Sequence, residues 1–301
     1  MIKVYIKNHA SHAGKWIYQG YANAWSHLGY NVVCYSNLSE ISTIGDYFIM
    51  GVDADFKNEH SKILSKSKKS FFHVQPESYP FHWGTHPNFI SSCQDKESLN
   101  SNEKSLLWSF SDKTTQNEQY YKCWKRTCLL PLAYDNIAYK DLNEEEKFDV
   151  CFIGGVADNG FNEKFKIMIN TFKSFEDSGL NLAFYINSNI SHEEENRIIS
   201  SSKVALNIHD EYQRVLGADT NERTFKSLGI NGLLVSDSVA QLSRIFPSVE
   251  TSNYYGEVVE IVKKYCLLPR KDRKEIKEAN KDDIIKNHTY VKRVEEMLSH
   301  V

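Results

Sequence analysis

Short apolar runs alternate with amphipathic stretches along this chain, and the alternation predicts strands and helices in turn. Residues 2–6 and 30–35 are largely apolar and partly β-branched, which indicates two strands. Between them, residues 15–28 place apolar side chains at helical spacing and end at Gly29, a residue type that often follows a helix. A strand, a helix and a strand in this order are typical of a parallel sheet with a right-handed crossover. Further strands are predicted at residues 47–50 and 70–74.

The second half of the chain repeats this alternation. A buried strand is predicted at residues 148–153, and a helix with an apolar stripe follows near residues 162–177. A strand at residues 180–186 and a helix at residues 193–201 come next. The sequence therefore predicts an α/β protein in which each half contains a parallel sheet.

One stretch, residues 204–237, combines a strand, a polar loop, a helix and a second strand. The strand at residues 204–208 leads through the loop at residues 209–219 to a helix that we expect Asp219 or Thr220 to cap. This order places the start of the helix at the carboxyl end of a strand, where open α/β sheets bind their ligands.

The first turn of this helix contains Asn221 and Arg223. A helix N-terminus offers unpaired N–H groups and a favourable dipole, and a guanidinium binds phosphate oxygens through two hydrogen bonds. The pattern therefore predicts a diphosphate site at this helix. The alternative interpretation is that the stretch holds no phosphate and that Arg223 forms a surface ion pair.

The length of 301 residues indicates two domains. We expect the first to span residues 1–133 and the second to span residues 147–283, with the acidic run at residues 141–147 in the crossing between them. A final helix at about residues 284–301 is the segment that would pack back on the first domain.

Composition narrows the class of protein. A hydrophobic content of 41% and a formal net charge of −3 are typical of a globular protein and argue against one that coats nucleic acid. The first residues lack an apolar signal core, and no apolar run approaches the roughly 20 residues of a membrane span. We therefore expect a cytoplasmic protein without integral membrane contact, while peripheral contact stays open.

The six cysteines are scattered along the chain, as expected of reduced thiols. Cys34 and Cys151 fall in predicted buried strands, and the spacing of Cys123 and Cys128 does not indicate a zinc site.

Four segments together resemble one family in their order and spacing. They are DVCFIGG at residues 149–155, LNIH at 206–209, TNERTFKSLGINGLLVSD at 220–237 and NHTYVKRVEEML at 287–298. In this order they resemble the carboxy-terminal half of CgeB-like GT-B glycosyltransferases, which carries the donor lobe of the family 1/4 type. The matching positions of the two longer motifs are Asn221, Arg223, Phe225 and Gly232, then His288, Thr289, Tyr290 and Arg293.

The resemblance implies a GT-B fold, with two Rossmann-like lobes whose parallel sheets face an interlobe cleft. It also implies a metal-independent transferase of the hexosyltransferase type that takes a sugar from a nucleotide sugar and needs no cofactor. Arg223 and the amides of residues 220–223 would hold the diphosphate, with Arg214 and Lys226 as further cations, for which ion pairing is the alternative. The expected donor-binding residues are Gly154, Gly155, His209, Arg214, Thr220, Asn221, Glu222, Arg223, Thr224 and Lys226; no metal ligand is expected.

This chain departs from the family pattern at Lys226, where an acidic residue follows the phenylalanine in the family. In related enzymes a glutamate near this place binds ribose hydroxyls. Three interpretations stay open: Glu222 compensates from one turn earlier, Lys226 contacts an additional negative group on the donor, or the donor preference is altered or lost.

The residue that removes the proton from the acceptor is expected on loops of the first domain. His9 and His12 follow the first strand, and Glu77, His82 and His86 follow the fourth. We prefer Glu77 or His12, with His82 next, because a histidine titrates near neutral pH and a carboxylate accepts protons. The prolines around His82 and His86 argue against a metal site there. The nearby aromatic residues Tyr79, Phe81 and Trp83 are candidates for stacking against a ligand or for core packing.

Two other functional classes remain. The chain could be a sugar-binding or nucleotide-binding protein of the same fold without turnover, an idea motivated by Lys226. It could also be a nucleic-acid-modifying glycosyltransferase, because basic runs occur at residues 62–69 and 263–274, although the net charge of −3 argues against extensive phosphate contact. The expected partners are a nucleotide-sugar donor and a saccharide or other small or polymeric acceptor. The sequence leaves open the sugar, the nucleobase, the acceptor, the stereochemical outcome and the oligomeric state.

Overall fold

A computed structural model of the protein describes residues 2–9, 12–52, 55–56, 58–73, 103–112, 121, 124–156 and 163–301. Contacts between residues divide the chain into two compact units. Unit 1 comprises residues 1–137 and 290–301, and unit 2 comprises residues 138–289.

Unit 1 contains a six-stranded parallel sheet in the order β2-β1-β3-β4-β5-β6. Its strands are β1 (Lys3–Lys7), β2 (Asn31–Tyr35), β3 (Tyr47–Val52), β4 (Lys69–His73), β5 (Ser105–Ser109) and β6 (Thr127–Leu129). Its helices are α1 (His12–His27), α2 (Ser61–Lys66) and the last helix of the chain, α10 (Tyr290–Ser299), with short 3-10 turns at Leu38–Glu40 and Asn58–His60.

The core of unit 1 is rich in aromatic residues. Trp25 of α1 and Trp108 of β5 are fully buried. α10 packs closely on α1, because Gly20 has no side chain and an added Cβ would lie 3.1 Å from Cγ of Tyr290. Arg293 of α10 donates from Nε to the carbonyl of Pro131 at 2.7 Å. The last helix is therefore an integral part of this unit.

Unit 2 contains a five-stranded parallel sheet in the order β11-β10-β9-β7-β8. Its strands are β7 (Phe148–Gly154), β8 (Leu182–Ile186), β9 (Ser202–Asn207), β10 (Leu234–Ser236) and β11 (Glu250–Thr251). Its helices are α3 (Glu163–Ser174), α4 (His192–Ser200), α5 (Glu211–Leu216), α6 (Glu222–Ile230), α7 (Ala240–Ile245), α8 (Tyr255–Leu267) and α9 (Arg270–Asn287).

The unit 2 core lies between the sheet and the helices α3 and α8. Val150, Leu206 and Val235 from three neighbouring strands are buried in one cluster with Met168 and Val262 of those helices. α9 is held by a bidentate ion pair between Arg273 and Glu146. Among the described residues, no helix is both long enough and apolar enough to cross a membrane.

Several local expectations differ from the structure. The loop expected at residues 209–219 contains α5, because Asp210 and Gln213 form a reciprocal cap that starts a short helix. Residues 284–301 belong to two helices, which part at His288 and Thr289. Cys34 is exposed rather than buried, since β2 is an edge strand, whereas Cys151 of the central strand β7 is buried.

Candidate functional site

The carboxyl edge of the unit 2 sheet carries the polar residues that define the candidate site. β7, β9 and β10 run parallel and end there at Gly154, Asn207 and Ser236. α6 begins at the same edge, because Nδ2 of Asn207 donates to Oγ1 of Thr224 in its first turn at 3.0 Å. Open parallel sheets bind ligands at such an edge.

α6 is capped by Asn221, whose Oδ1 accepts a hydrogen bond from the N–H of Thr224 at 3.2 Å. The sequence predicted Asp219 or Thr220 as the cap. Thr220 is instead fully buried: its N–H donates to Oε1 of Gln241 at 2.8 Å, and its hydroxyl bonds to His209. With the cap one residue later, the positive end of the helix dipole lies at the sheet edge beside Arg223.

Arg223 is anchored across this edge. Its Nε donates to the carbonyl of Ile153 at 2.7 Å, and its Nη1 donates to Oδ1 of Asn207 at 3.2 Å and to the carbonyl of Ile208 at 3.3 Å. The guanidinium also lies over the ring of Phe152, 4.7 Å from its centre. Burial lowers the pKa of Arg223, and nearby carboxylates, Glu222 first, oppose that effect. Arg223 is therefore held in one geometry rather than pairing freely at the surface.

Gly154 makes this geometry possible. A Cβ at residue 154 would overlap the guanidinium and lie 2.6 Å from Cζ of Arg223. The absence of a side chain at Gly154 is therefore a condition for the position of Arg223. Nη2 of Arg223 has no hydrogen bond to any residue in the described part of the chain.

Behind α6 lies a buried network centred on His209, which is 0% exposed. A hydrogen bond of 2.6 Å joins its Nδ1 to Oδ1 of Asp237, and one of 2.7 Å joins its Nε2 to Oγ1 of Thr220. Oγ1 of Thr220 in turn bonds to Oγ1 of Thr224 at 2.7 Å. Burial alone would raise the pKa of Asp237, but the charge and hydrogen bonds of His209 hold it below its ordinary value. The network fixes the first turn of α6 to the ends of β9 and β10.

Lys226 forms a buried ion pair. Its Nζ lies 2.6 Å from Oε1 of Glu195 on α4 and 3.7 Å from Oε2 of Glu222. Burial alone would lower the pKa of Lys226, but Glu222 and Glu195 raise it above its ordinary value, so the ammonium is charged. Its charge is already compensated by these carboxylates.

Two further cations lie near the edge. Nε of Arg214 lies 3.7 Å from Oδ2 of Asp237, and Nη1 lies 3.7 Å from Oε2 of Glu211. Lys164 at the start of α3 is 8% exposed and pairs with Oδ1 of Asp210 at 3.0 Å. Burial lowers its pKa, and Asp210 opposes the effect. The edge thus combines cations with compensating carboxylates.

Comparison with known proteins defines the family. Residues 144–299, just over half of the chain, match the family model described as "Glycosyl transferase-like". The chain belongs to this glycosyl transferase-like family. No curated protein sequence matches it.

Solved structures of glycosyltransferases show the same fold. T4 phage BGT in complex with UDP and Mn²⁺ is 15% identical over 95% of both chains, with a TM-score of 0.58. AviGT4, a glycosyltransferase involved in avilamycin A biosynthesis, is 12% identical over 100% of this chain and 97% of its own, with a TM-score of 0.56. The trehalose-6-phosphate synthase OtsA is 12% identical over 96% of this chain and 77% of its own, with a TM-score of 0.55. The glycosyl transferase-like chain therefore has the predicted GT-B fold with two parallel sheets.

The structure brings most of the predicted donor-binding residues of this transferase-like protein to one edge. Arg223 contacts Gly154, and Asn221, Thr220, Thr224 and His209 form the adjoining hydrogen-bond network. Gly155 lies beside Asn187, since an added Cβ would be 2.5 Å from its Oδ1. Arg214 pairs with Asp237, and Lys226 pairs with both Glu195 and Glu222. Whether these residues bind a donor remains a prediction.

The predicted proton acceptors fall largely outside the described residues. Glu77 and His82 lie there, as do Tyr79, Phe81, Trp83 and His86, and of His12 only the backbone at the start of α1 is described.

Sequence reasoning missed four residues of the edge: Asn207, Asp237, Lys164 and Glu195. Asn207 and Asp237 could have been found, because each is a polar residue at the end of an apolar strand. Lys164 and Glu195 carry no such pattern, since each is one charge among several on a helix.

Proposed function

We propose that this protein is a CgeB-like glycosyltransferase that moves a hexose from a nucleotide sugar to an acceptor without a metal ion. The observation that carries the proposal is the clamp formed by Arg223 over Gly154 at the start of α6. A fixed guanidinium next to a helix N-terminus is suited to the charge that develops on a departing diphosphate.

The names of two solved structures of one fold relative support a nucleotide-sugar donor. T4 phage BGT was solved in complex with UDP and Mn²⁺ and also with its UDP-glucose substrate. We infer that unit 2 of this chain binds the donor and that Gly154, Arg223 and the α6 amides contact the diphosphate. The remaining predicted donor residues are proposed to shape and position this contact.

We propose a saccharide or another small or polymeric molecule as the acceptor, bound by unit 1. One fold relative is described as the DNA modifying enzyme beta-glucosyltransferase, so nucleic acid is the alternative acceptor. The formal net charge of −3 favours the saccharide, since proteins that neutralise many phosphates carry a positive excess.

Nucleotide binding is the first test. The midpoint of thermal unfolding is measured with UDP, GDP, ADP, UDP-glucose and GDP-mannose, with added Mn²⁺ or with EDTA, because a ligand of the folded state raises that midpoint. We expect one nucleotide class to raise it in EDTA as well as in Mn²⁺. Absence of a shift with every compound would contradict the proposal, and a shift only in Mn²⁺ would contradict metal independence.

Substitution of Arg223 locates the site. We expect Arg223→Ala to remove the nucleotide-induced shift and Arg223→Lys to retain part of it, because lysine keeps the charge without the planar fork. The matched control is Arg270→Ala, which removes an exposed arginine at the start of α9. If folded Arg223→Ala retains the full nucleotide-induced shift, Arg223 is not part of the nucleotide-binding site.

Turnover separates an enzyme from a binding protein. A transferase should slowly release the nucleoside diphosphate from its donor in the absence of an acceptor, whereas a binding protein should leave the donor intact. The nucleic-acid alternative is tested by incubating the protein with a radiolabelled donor and duplex DNA and measuring the label that is transferred to the DNA.

A further inference from the structure

Asn187 directly follows β8 at the carboxyl edge of the unit 2 sheet. Its φ is +49°, a left-handed conformation that asparagine adopts more readily than most residues. Its N–H donates to the carbonyl of Gly154 at 2.9 Å. The end of β8 is therefore fastened to the end of β7, at the glycine over which Arg223 lies.

The side chain of Asn187 holds the residues that follow Gly154. Its Oδ1 accepts a hydrogen bond from the N–H of Val156 at 3.0 Å. An added Cβ at Gly155 would lie 2.5 Å from the same oxygen, so the missing side chain of Gly155 leaves the room that this bond needs. The backbone and the side chain of Asn187 together fix the turn of residues 154–156.

Hydrogen-bond donors without a partner lie along this turn. In the part of the chain that the structure describes, neither Nδ2 of Asn187 nor the N–H of Gly155 donates to a protein group. Nη2 of Arg223, which lies over Gly154, is a third such donor. Consecutive Cα atoms are about 3.8 Å apart, so the contacts at Gly154 and Gly155 are immediate neighbours. The bond from Val156 to Oδ1 orients the amide of Asn187, whose Nδ2 stays available to a ligand.

The chemistry of these donors changes from one end of the row to the other. The guanidinium of Arg223 is a cation with a planar fork, which suits phosphate oxygens. The amide of Asn187 is neutral and its Nδ2 can only donate, which suits the oxygen of a hydroxyl group. In a nucleotide sugar the diphosphate is bonded directly to C1 of the sugar, so the sugar hydroxyls follow the diphosphate in the same way.

Exposure indicates which sugar of the donor lies at Asn187. The hexose carries the carbon that reacts, so it must be open to an acceptor, whereas the ribose need not be. β9 lies on the other side of β7 and ends at Asn207, which is 0% exposed, as are His209 and Thr220 beside it. Asn187 is exposed at the end of the edge strand β8. The open side of Arg223 is therefore the side of Asn187.

We propose that Asn187 binds a hydroxyl group of the donor hexose through Nδ2, an assignment that rests on the proposed glycosyltransferase function. The bond from Val156 to Oδ1 orients the amide, and Arg223 and the N–H of Gly155 hold the diphosphate next to it. Asn187 thereby increases the preference of the site for the nucleotide sugar over the free nucleoside diphosphate.

The test uses the nucleotide sugar that the thermal screen selects and its nucleoside diphosphate, UDP-glucose and UDP in the first instance. Isothermal titration gives the Kd of each, and the ratio of the two values is compared between variants, because an effect on the shared nucleotide cancels in that ratio. Asn187→Gly should lower the preference for UDP-glucose over UDP by about 2- to 12-fold, the value of one neutral hydrogen bond. Glycine adopts a positive φ without strain, so we expect this variant to fold.

Two further variants make the result specific. Gly155→Ala retains Asn187 but places a Cβ in the space of its Oδ1, so it should displace the amide and lower the same preference. Asn189→Gly removes an exposed asparagine two residues further along the same loop and is the matched control. Both dissociation constants should be those of the wild type in this control.

An unchanged ratio in folded Asn187→Gly would overturn the assignment. If both affinities fell equally, Asn187 would act only on the shared nucleotide, by holding the turn of residues 154–156. If Asn187→Gly does not fold, the ratio in Gly155→Ala decides in the same way. Nucleotide binding persists in each of these cases, so the proposed donor site would stand. Failure of the wild-type chain to bind any nucleotide would overturn the proposed function, and the role of Asn187 with it.

Discussion

Gly154→Ala tests the clamp without touching any charged residue. The added Cβ would lie 2.6 Å from Cζ of Arg223, whereas carbon atoms in contact are about 3.5–4.0 Å apart. The guanidinium must therefore move by about 1 Å. A shift of this size lengthens the 2.7 Å bond from Nε to the carbonyl of Ile153 to about 3.7 Å, beyond hydrogen-bond range.

The magnitude follows from the bonds that move with Arg223. A hydrogen bond to a charged group contributes about 1.5–3 kcal/mol, and each 1.4 kcal/mol is a factor of ten in affinity. If one such bond to the diphosphate is lost, the nucleotide should bind about 10- to 150-fold more weakly. The free energy of unfolding should fall by about 1–3 kcal/mol, because the bond to Ile153 is lost as well.

The assay is isothermal titration with the nucleotide that stabilises the wild-type chain, at a temperature where circular dichroism shows the variant folded. Gly256→Ala in α8 is the matched control, because a Cβ there would meet no atom within 4 Å. It should bind as wild type and gain up to about 1 kcal/mol of stability from the helical preference of alanine. Wild-type affinity in Gly154→Ala would refute the reasoning, since it would show that Arg223 reaches the ligand from another position or not at all.

Three further substitutions test the packing of unit 2. Gly232 has a φ of +82° and its added Cβ would lie 2.7 Å from a main-chain carbonyl carbon, so Gly232→Ala should lower the free energy of unfolding by about 3 kcal/mol or more. Gly29 also has a positive φ but lies in open space, so Gly29→Ala should lower the free energy of unfolding by only about 1–2 kcal/mol. Equal losses for the two variants in urea denaturation would contradict this expectation. Lys226→Glu should cost about 3–5 kcal/mol, because it leaves buried like charges, and adding Glu195→Lys should recover part of the loss in the same denaturation experiment. The folded pKa of Asp237 lies below its unfolded value, so its contribution is present above about pH 4 and lost as the pH falls further. Asp237→Asn should therefore reduce stability at pH 7 by about 3 kcal/mol and flatten the acid-side loss, which unfolding curves from pH 7 to pH 3 would show.

The sequence predicts most of the fold because the sheets are built from short apolar runs. β1, β2 and β7 are each built around a short apolar run, and their positions in the structure agree with the predicted ones to within a few residues. β6 has three residues and β11 has two, which is too short for any periodicity to indicate a strand. Length is not the only limit, because β5 has five residues and also lies outside the predicted strands.

The candidate site is predictable where the information is local. Arg223 can be found because a guanidinium in the first turn of a helix suggests an anion site from a few residues. The residues that hold it cannot be found this way: His209 and Asp237 are 28 positions apart, and Gly154 meets Arg223 only after β7 and β9 pair. A single sequence does not show which distant residues meet.

The same limit applies to Lys226, because the role assigned to it changes once its neighbours in the fold are known. From the sequence, the lysine replaces an acidic residue and could contact a negative group on the donor. In the structure, the ammonium is 2.6 Å from the carboxylate of Glu195, and both residues are largely buried. A donor phosphate would have to compete with a carboxylate already in place, and separating the pair would leave a buried charge unpaired.

The acidic group has therefore not been lost from this part of the protein. Glu195 supplies a carboxylate from α4, Glu222 supplies another from the first turn of α6, and Lys226 neutralises part of their charge. Of the three interpretations of Lys226, direct contact with a donor anion is the one that these distances disfavour. Compensation by Glu222 disturbs only the longer of the two ion pairs, because Oε2 of Glu222 stands 3.7 Å from the ammonium while Glu195 holds the lysine at 2.6 Å.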